Sequence, residues 1–133
     1  MGLTTATHYY LPYQGAAVAA STDSDRFLQQ VVEALVRAVD PERVILFGSR
    51  ARGDERAESD IDLFLEVETG RDTRQLAKES YKTIHGLRER PLVGIDIVVK
   101  DTAFVERFGD CVGTVVRPAL TEGRLLYARR PSP

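Results

Sequence analysis

Two aspartates at the start of one short segment have a spacing that could serve catalysis. Asp60 and Asp62 flank the first residue of Ile61–Val67, whose alternating pattern predicts a β-strand. Side chains two residues apart on a strand leave the same face, with their roots about 7 Å apart. Carboxylates at this spacing suit the hard divalent cations that serve in-line phosphoryl or nucleotidyl displacement. Because Asp-x-Asp is a common sequence, a solvated loop end is the alternative for this pair alone.

A glycine and a serine upstream could hold phosphate groups. Gly48 and Ser49 follow Val44–Phe47, an apolar run that predicts a buried strand. The glycine permits a tight turn, and the serine can cap a following helical turn. Backbone N–H groups and a hydroxyl at such a point form a site for the terminal phosphates of a nucleotide. An ordinary turn is the alternative.

A third carboxylate, Asp96, interrupts the apolar segment Val93–Val99, which predicts another strand. A charged side chain is costly to bury there unless it is paired or ligates a metal. An edge strand with Asp96 facing water is the alternative. If this strand lies beside Ile61–Val67, Asp96 joins Asp60 and Asp62 on one face. Three clustered carboxylates raise one another's proton affinity, and a divalent cation would relieve their repulsion.

The elements that position these residues follow from the spacing of apolar residues and from caps and breakers. Together they predict an α/β (α+β) fold, a small mixed β-sheet with helices packed on it. Four helices are predicted: Asp23–Val39, Asp72 to about Arg88, a short helix capped by Asp101, and about Asp110 to Glu122 with a kink or split at Pro118. An edge strand is predicted at Leu125–Tyr127.

Size and composition indicate one compact unit. A chain of 133 residues with 43% apolar content can bury one core. We predict a domain over residues 23–128 between tails at 1–22 and 129–133. The formal charge of −2 gives no strong basic field, so nucleic acid is not an expected direct partner. The apolar stretch Leu11–Ala20 is too short for a membrane span. The single cysteine, Cys111, fits a cytoplasmic protein and is predicted to be a small core residue.

The combination of motifs resembles a known family. Gly48-Ser49, ten intervening residues, Asp60-Ile61-Asp62 and the later Asp96 resemble the signature of the nucleotidyltransferase superfamily related to DNA polymerase β. The string from Leu46 to Asp54, closed by Ser59–Leu63, resembles its minimal nucleotidyltransferase (MNT) branch. The resemblance covers roughly residues 25–128 and implies the nucleotidyltransferase fold.

The resemblance also implies roles for the matched residues. Gly48 and Ser49 would hold the β- and γ-phosphates of ATP. The three aspartates would bind Mg²⁺, and Asp96 would also activate the attacking hydroxyl. Arg50 and Arg52 could neutralise phosphate charge through bidentate contacts, or could pair with the neighbouring acidic residues instead.

Stand-alone MNT proteins resemble the antitoxin half of type VII toxin–antitoxin pairs, whose toxin is a helical HEPN-domain ribonuclease. The resemblance implies a protein adenylyltransferase that moves AMP from ATP to a hydroxyl of that partner, on a tyrosine. Larger relatives carry a further domain for the acceptor, so a separate acceptor protein is expected here. Two alternatives stay open. One is a non-catalytic antitoxin that binds the HEPN toxin by occlusion, and the other is an aminoglycoside-type nucleotidyltransferase completed by a helical partner subunit.

Overall fold

The structure, a computed structural model, describes residues 9–10, 23–48, 60–87 and 94–129. Its helices and strands follow one another along the chain as β1 (Tyr9–Tyr10), α1 (Asp23–Val39), β2 (Arg43–Phe47), β3 (Ile61–Val67), α2 (Thr73–His85), β4 (Ile95–Asp101), α3 (Thr102–Phe108), α4 (Val116–Glu122) and β5 (Arg124–Ala128). No helix within the described ranges is long and apolar enough to cross a membrane.

The strands form one mixed sheet in the order β1-β5-β2-β3-β4. Only β3 and β4 run parallel, and the other neighbours are antiparallel. The parallel pair is possible because α2 connects the two strands as a crossover helix. The predicted mixed sheet with packed helices is therefore confirmed, and β3 has the predicted bounds.

Helices α1 and α2 cover one face of the sheet. The apolar stripe of α1 places residues such as Val31 and Leu35 in full burial against Leu63 and Leu65 of β3. The α1 helix ends at Val39 because Asp40 turns the chain with a positive φ of 54° and Pro41 follows. This face is a continuous apolar core.

Helices α3 and α4 cover part of the other face, where Phe64 packs with Val105, Val116 and Ala119. The predicted cap of α3 is confirmed, since the Asp101 carboxylate accepts a hydrogen bond of 2.8 Å from the Phe104 N–H. Both helices have only seven residues. Among the described residues, Asp62 and Asp96 occupy the other end of this face.

Strand β5 does not lie at the edge of the sheet, which corrects the prediction for Leu125–Tyr127. Tyr9–Tyr10, from the predicted N-terminal tail, pair with its outer side, so β5 lies between β1 and β2. Sequence spacing could not reveal this pairing because the two segments are far apart along the chain. The tail boundaries at 1–22 and 129–133 stay a prediction, since most of those residues lie outside the described ranges.

The predicted helix from Asp110 to Glu122 is wrong in its first half. Gly113 adopts a φ of 92°, a left-handed turn conformation, and the helix begins only at Val116. Pro118 therefore lies in the first helical turn, where its missing N–H costs no hydrogen bond. The helix continues through it to Glu122, so the predicted split at Pro118 is wrong. Cys111 lies in the turn before this helix and is exposed, so its predicted burial is also wrong.

Candidate active site

Three strand ends meet where β2 finishes and where β3 and β4 begin. Asp62 of β3 lies opposite Phe47 of β2 and directly beside Asp96 of β4. Neighbouring strands are about 4.8 Å apart, so the two carboxylates leave adjacent points on one face. The parallel pairing of β3 with β4 thus brings together carboxylates that are distant in the sequence.

The register of this pair also determines where Asp60 lies. The Ile61 N–H donates to the Gly94 carbonyl at 2.9 Å, which extends the ladder to the residues just before each strand. Asp60 consequently lies against Gly94, where an added Cβ would come within 2.9 Å of the Asp60 Oδ1. Any side chain at position 94 would displace the Asp60 carboxylate, so the glycine there allows Asp60 to adopt its observed position.

A second glycine approaches the site from β2. Gly48 has a φ of 81°, a conformation that side chains rarely adopt. A Cβ at Gly48 would also collide with the carboxylate of Asp62. Gly48 therefore lies directly against the Asp62 carboxylate at the end of β2.

The described side chains of the site concentrate negative charge around Asp62. Burial raises the pKa of Asp62 above its ordinary value of 3.8, and the neighbouring charges of Asp96 and Asp60 raise it further. Asp62 is half-buried, whereas Asp60 and Asp96 are exposed. A cation placed among these groups would offset both the repulsion and the cost of burying charge.

The donor set fits a hard divalent cation that is shared with phosphate oxygens. Among the described residues, no group of three or more His, Cys, Asp and Glu side chains is arranged so that it could hold a metal ion by itself. Mg²⁺ does not require such a group, because it is usually held by one or two carboxylates together with substrate phosphates and water. Asp60 and Asp62 could supply oxygen ligands of that kind, with Asp96 beside them.

Ser49, Arg50 and Arg52 lie outside the described residues. Sequence reasoning assigned no role to Gly94 or Phe47, which the register places beside Asp60 and Asp62 respectively. The position of Gly94 follows only from the register, since parallel pairing of Asp62 with Asp96 implies that the residue two before Asp96 meets Asp60.

Comparison with known proteins places this arrangement in a family. Residues 29–131 match the family described as Polymerase beta, Nucleotidyltransferase. The chain belongs to this nucleotidyltransferase family. The matched range runs from within α1 through β5 and includes Gly48 and all three aspartates. Nucleotidyl transfer is accordingly the general chemistry of this nucleotidyltransferase domain.

A solved structure supports the predicted nucleotidyltransferase fold. The crystal structure of a protein from Sulfolobus solfataricus, described as a "putative nucleotidyltransferase", is 21% identical to this chain. The match covers 75% of this chain and 76% of that protein, with a TM-score of 0.50. At this identity the likeness concerns the fold alone. No curated protein sequence gives a significant match.

Proposed function

We propose that this nucleotidyltransferase domain transfers AMP from ATP, with Mg²⁺, to a hydroxyl of a partner protein. The observation that carries the proposal is the cross-strand placement of Asp62 beside Asp96, with Asp60 two residues away on the same chain. A dense group of carboxylates destabilises an empty site, as the raised pKa of Asp62 indicates. Such a group is understandable if a cation and nucleotide phosphates occupy it.

The proposed reaction is a direct displacement at phosphorus. The hydroxyl oxygen of the acceptor attacks the α-phosphorus of ATP, the bond from that phosphorus to the β-phosphate oxygen breaks, and pyrophosphate leaves. The acceptor keeps AMP through a new phosphodiester bond, and its hydroxyl proton passes to the Asp96 carboxylate. Bound Mg²⁺ would supply charge neutralisation on the phosphates. Catalysis would then consist mainly of positioning and charge stabilisation.

The chain's own residues divide this work. Asp60 and Asp62 would hold the metal and Asp96 would complete its site, because the pairing of β3 with β4 brings the three carboxylates close together. The Gly48 turn, with Ser49, would bind the β- and γ-phosphates through backbone N–H groups and a hydroxyl. Arg50 and Arg52 follow that turn in the sequence and would neutralise phosphate oxygens.

The acceptor we propose is a tyrosine of a helical HEPN-domain toxin, which would make this protein the antitoxin of a type VII pair acting in the cytoplasm. Support comes from the string Leu46 to Asp54 with Ser59–Leu63, which resembles the MNT branch. ATP as the donor rests on the same resemblance.

The test uses the complete chain, co-purified with its helical partner and incubated with Mg²⁺ and ATP. We expect the partner to gain the mass of one AMP, and we expect Asp60→Ala and Asp62→Ala to abolish the gain. Two further outcomes would each replace the proposal. Suppression of toxicity by the Asp60→Ala/Asp62→Ala double variant without any mass gain would indicate occlusion. AMP on an aminoglycoside, with none on the partner protein, would indicate a small-molecule enzyme.

A further inference from the structure

The two edges of strand β4 have different hydrogen-bond partners: one edge pairs with β3, and the other bonds to a side chain of α2. Within the described sheet it pairs with β3 alone, so its other edge faces outward. Successive strand residues direct their backbone groups to alternate edges. Since Ile61 bonds to Gly94, the backbone groups of Asp96 point toward β3 and those of Ile97 point outward. The outer edge therefore presents the Ile97 N–H immediately after the third carboxylate.

The hydroxyl of Tyr81 occupies that outer edge. The Ile97 N–H donates to the Tyr81 hydroxyl oxygen at 2.9 Å, and the hydroxyl lies 3.5 Å from the Ile97 carbonyl oxygen, to which it donates. Tyr81 belongs to α2, and its half-buried ring packs against the large apolar core. The Tyr81 side chain thus makes the backbone hydrogen bonds at Ile97 that a neighbouring strand would otherwise make.

We propose that Tyr81 is a positioning residue that fixes Asp96 beside Asp62 by holding β4 from its outer edge. Asp96 is exposed, and its position depends on the backbone of β4, which pairs with β3 alone within the described sheet. The bond at Ile97 is one residue from Asp96, so its loss removes the outer-edge contact of the backbone next to the carboxylate. Ring packing orients the hydroxyl, and the hydroxyl fixes the strand.

The inference rests on the proposed function for the metal site and for its catalytic consequence, whereas amide exchange at Ile97 tests the strand contact independently of both. Metal-ligand positions depend on the groups that orient them, and loss of such an orienting contact lowers metal affinity by roughly 10- to 100-fold. Binding of Mn²⁺ to the protein can therefore report the position of Asp96 even if no acceptor is found. A failure of nucleotidyl transfer would leave this readout intact.

The substitution Tyr81→Phe removes one oxygen and keeps the ring. Its matched control is Ser80→Ala, on the same helix, because the Ser80 hydroxyl donates to the Leu76 carbonyl at 2.8 Å and makes its bond within α2. The two variants each remove a hydroxyl from α2, and only one of these hydroxyls bonds to β4.

The experiment measures Mn²⁺ affinity by titration, amide exchange at Ile97 by NMR and thermal unfolding for the intact chain and both variants. We expect Tyr81→Phe to speed exchange at Ile97 roughly fivefold through loss of one hydrogen bond. We expect its Mn²⁺ affinity to fall roughly tenfold, with Ser80→Ala close to the unmodified chain in both readouts. Two results would overturn the proposal: unchanged exchange at Ile97, or faster exchange with Mn²⁺ affinity equal to that of Ser80→Ala.

Discussion

Two carboxylates on the same face of β3 have opposite surroundings. Glu66, 5% exposed, accepts a hydrogen bond of 2.6 Å from the Arg43 Nε and another of 2.8 Å from the Thr102 hydroxyl. Asp62, at the other end of the strand, is influenced by burial and by two further negative charges, which all raise its pKa. A buried carboxylate is tolerated when it is paired and hydrogen-bonded, whereas a carboxylate surrounded by like charges destabilises the fold.

This difference distinguishes a structural charge from a candidate catalytic one. The Glu66 end is complete within the protein, because arginine and threonine occupy both carboxylate oxygens. The Asp62 end gains stability only when something cationic is added. Perturbed groups of this kind gather at functional sites. The comparison therefore predicts that substitutions at one end change activity and that substitutions at the other change stability.

The largest expected effect is loss of transfer on neutralising the candidate site. Asp62→Asn should lower the AMP transfer rate by roughly 10³-fold, since charge stabilisation is the main contribution of such sites. The corresponding substitution at the other end, Glu66→Gln, should leave the rate per folded molecule within about threefold, because Glu66 lies at the far end of the strand. Steady-state rates from mass spectrometry would check both. Equal losses in the two variants would remove the distinction between the two ends.

A large effect on stability is expected at the Glu66 end. Arg43→Met leaves Glu66 buried without its ion-pair partner and should lower the free energy of unfolding by about 2 kcal/mol. The control is Arg37→Met on the exposed surface of α1, which should cost less than about 0.5 kcal/mol. Urea denaturation gives both values. If the two variants are equally stable, the ion pair contributes nothing measurable.

The glycine beside Asp60 offers a subtler test of the catalytic end. Gly94→Ala places a Cβ 2.9 Å from the Asp60 Oδ1 and should displace that carboxylate, lowering the transfer rate roughly tenfold. Gly86→Ala is the matched control, because its nearest neighbour is the Thr83 carbonyl oxygen at 3.5 Å, an ordinary contact. Rates for the two variants, compared at equal folded concentration, decide the point. Indistinguishable rates would show that Asp60 tolerates the displacement.

The smallest expected effect is on the pH dependence of stability. Because the folded pKa of Asp62 is raised, the folded state keeps this proton to a higher pH than the unfolded chain does, whose ordinary value is 3.8. Stability from this group is thus present below that value and is lost as pH rises through the folded pKa. Without divalent cations, Asp62→Asn should be more stable than the unmodified chain at pH 7, by less than about 1 kcal/mol because solvent screens a half-buried group.

Chemical denaturation of the unmodified chain and Asp62→Asn across this pH range would measure the difference. The gain should vanish below the unfolded value of 3.8, where both proteins carry a neutral group at this position. Glu68→Gln on the exposed surface serves as the control and should show no comparable gain. A variant that is less stable than the unmodified chain at pH 7 would contradict the raised pKa.

Local patterns predicted much of the fold because they report on neighbours in sequence. The alternation of Ile61–Val67, the stripe of Asp23–Val39 and the cap at Asp101 all gave elements that the structure confirms. Pairings between distant segments leave no such pattern. The β1 strand at Tyr9–Tyr10 was missed for this reason, and the turn at Gly113 was missed because apolar spacing continues through it.

The sequence predicted the carboxylates of the candidate site. It did not predict the residues that position those carboxylates. Spacing placed Asp60 and Asp62 on one face, and the register of β3 with β4 then brings Asp96 beside them. The contacts of Gly94 and Tyr81 depend on that register and on the docking of α2, neither of which a linear pattern encodes. Positioning residues were therefore the part that required a structure.

The central claim is that the Asp62 end of β3 binds a divalent cation together with a nucleotide. Calorimetric titration of Mg²⁺ with a non-hydrolysable ATP analogue tests it without knowledge of the acceptor. We predict that Asp62→Asn weakens binding roughly 100-fold, whereas Glu66→Gln, which removes one charge from the same face of the same strand, changes it by less than about threefold. Binding by Asp62→Asn as tight as that of the unmodified chain would contradict the claim.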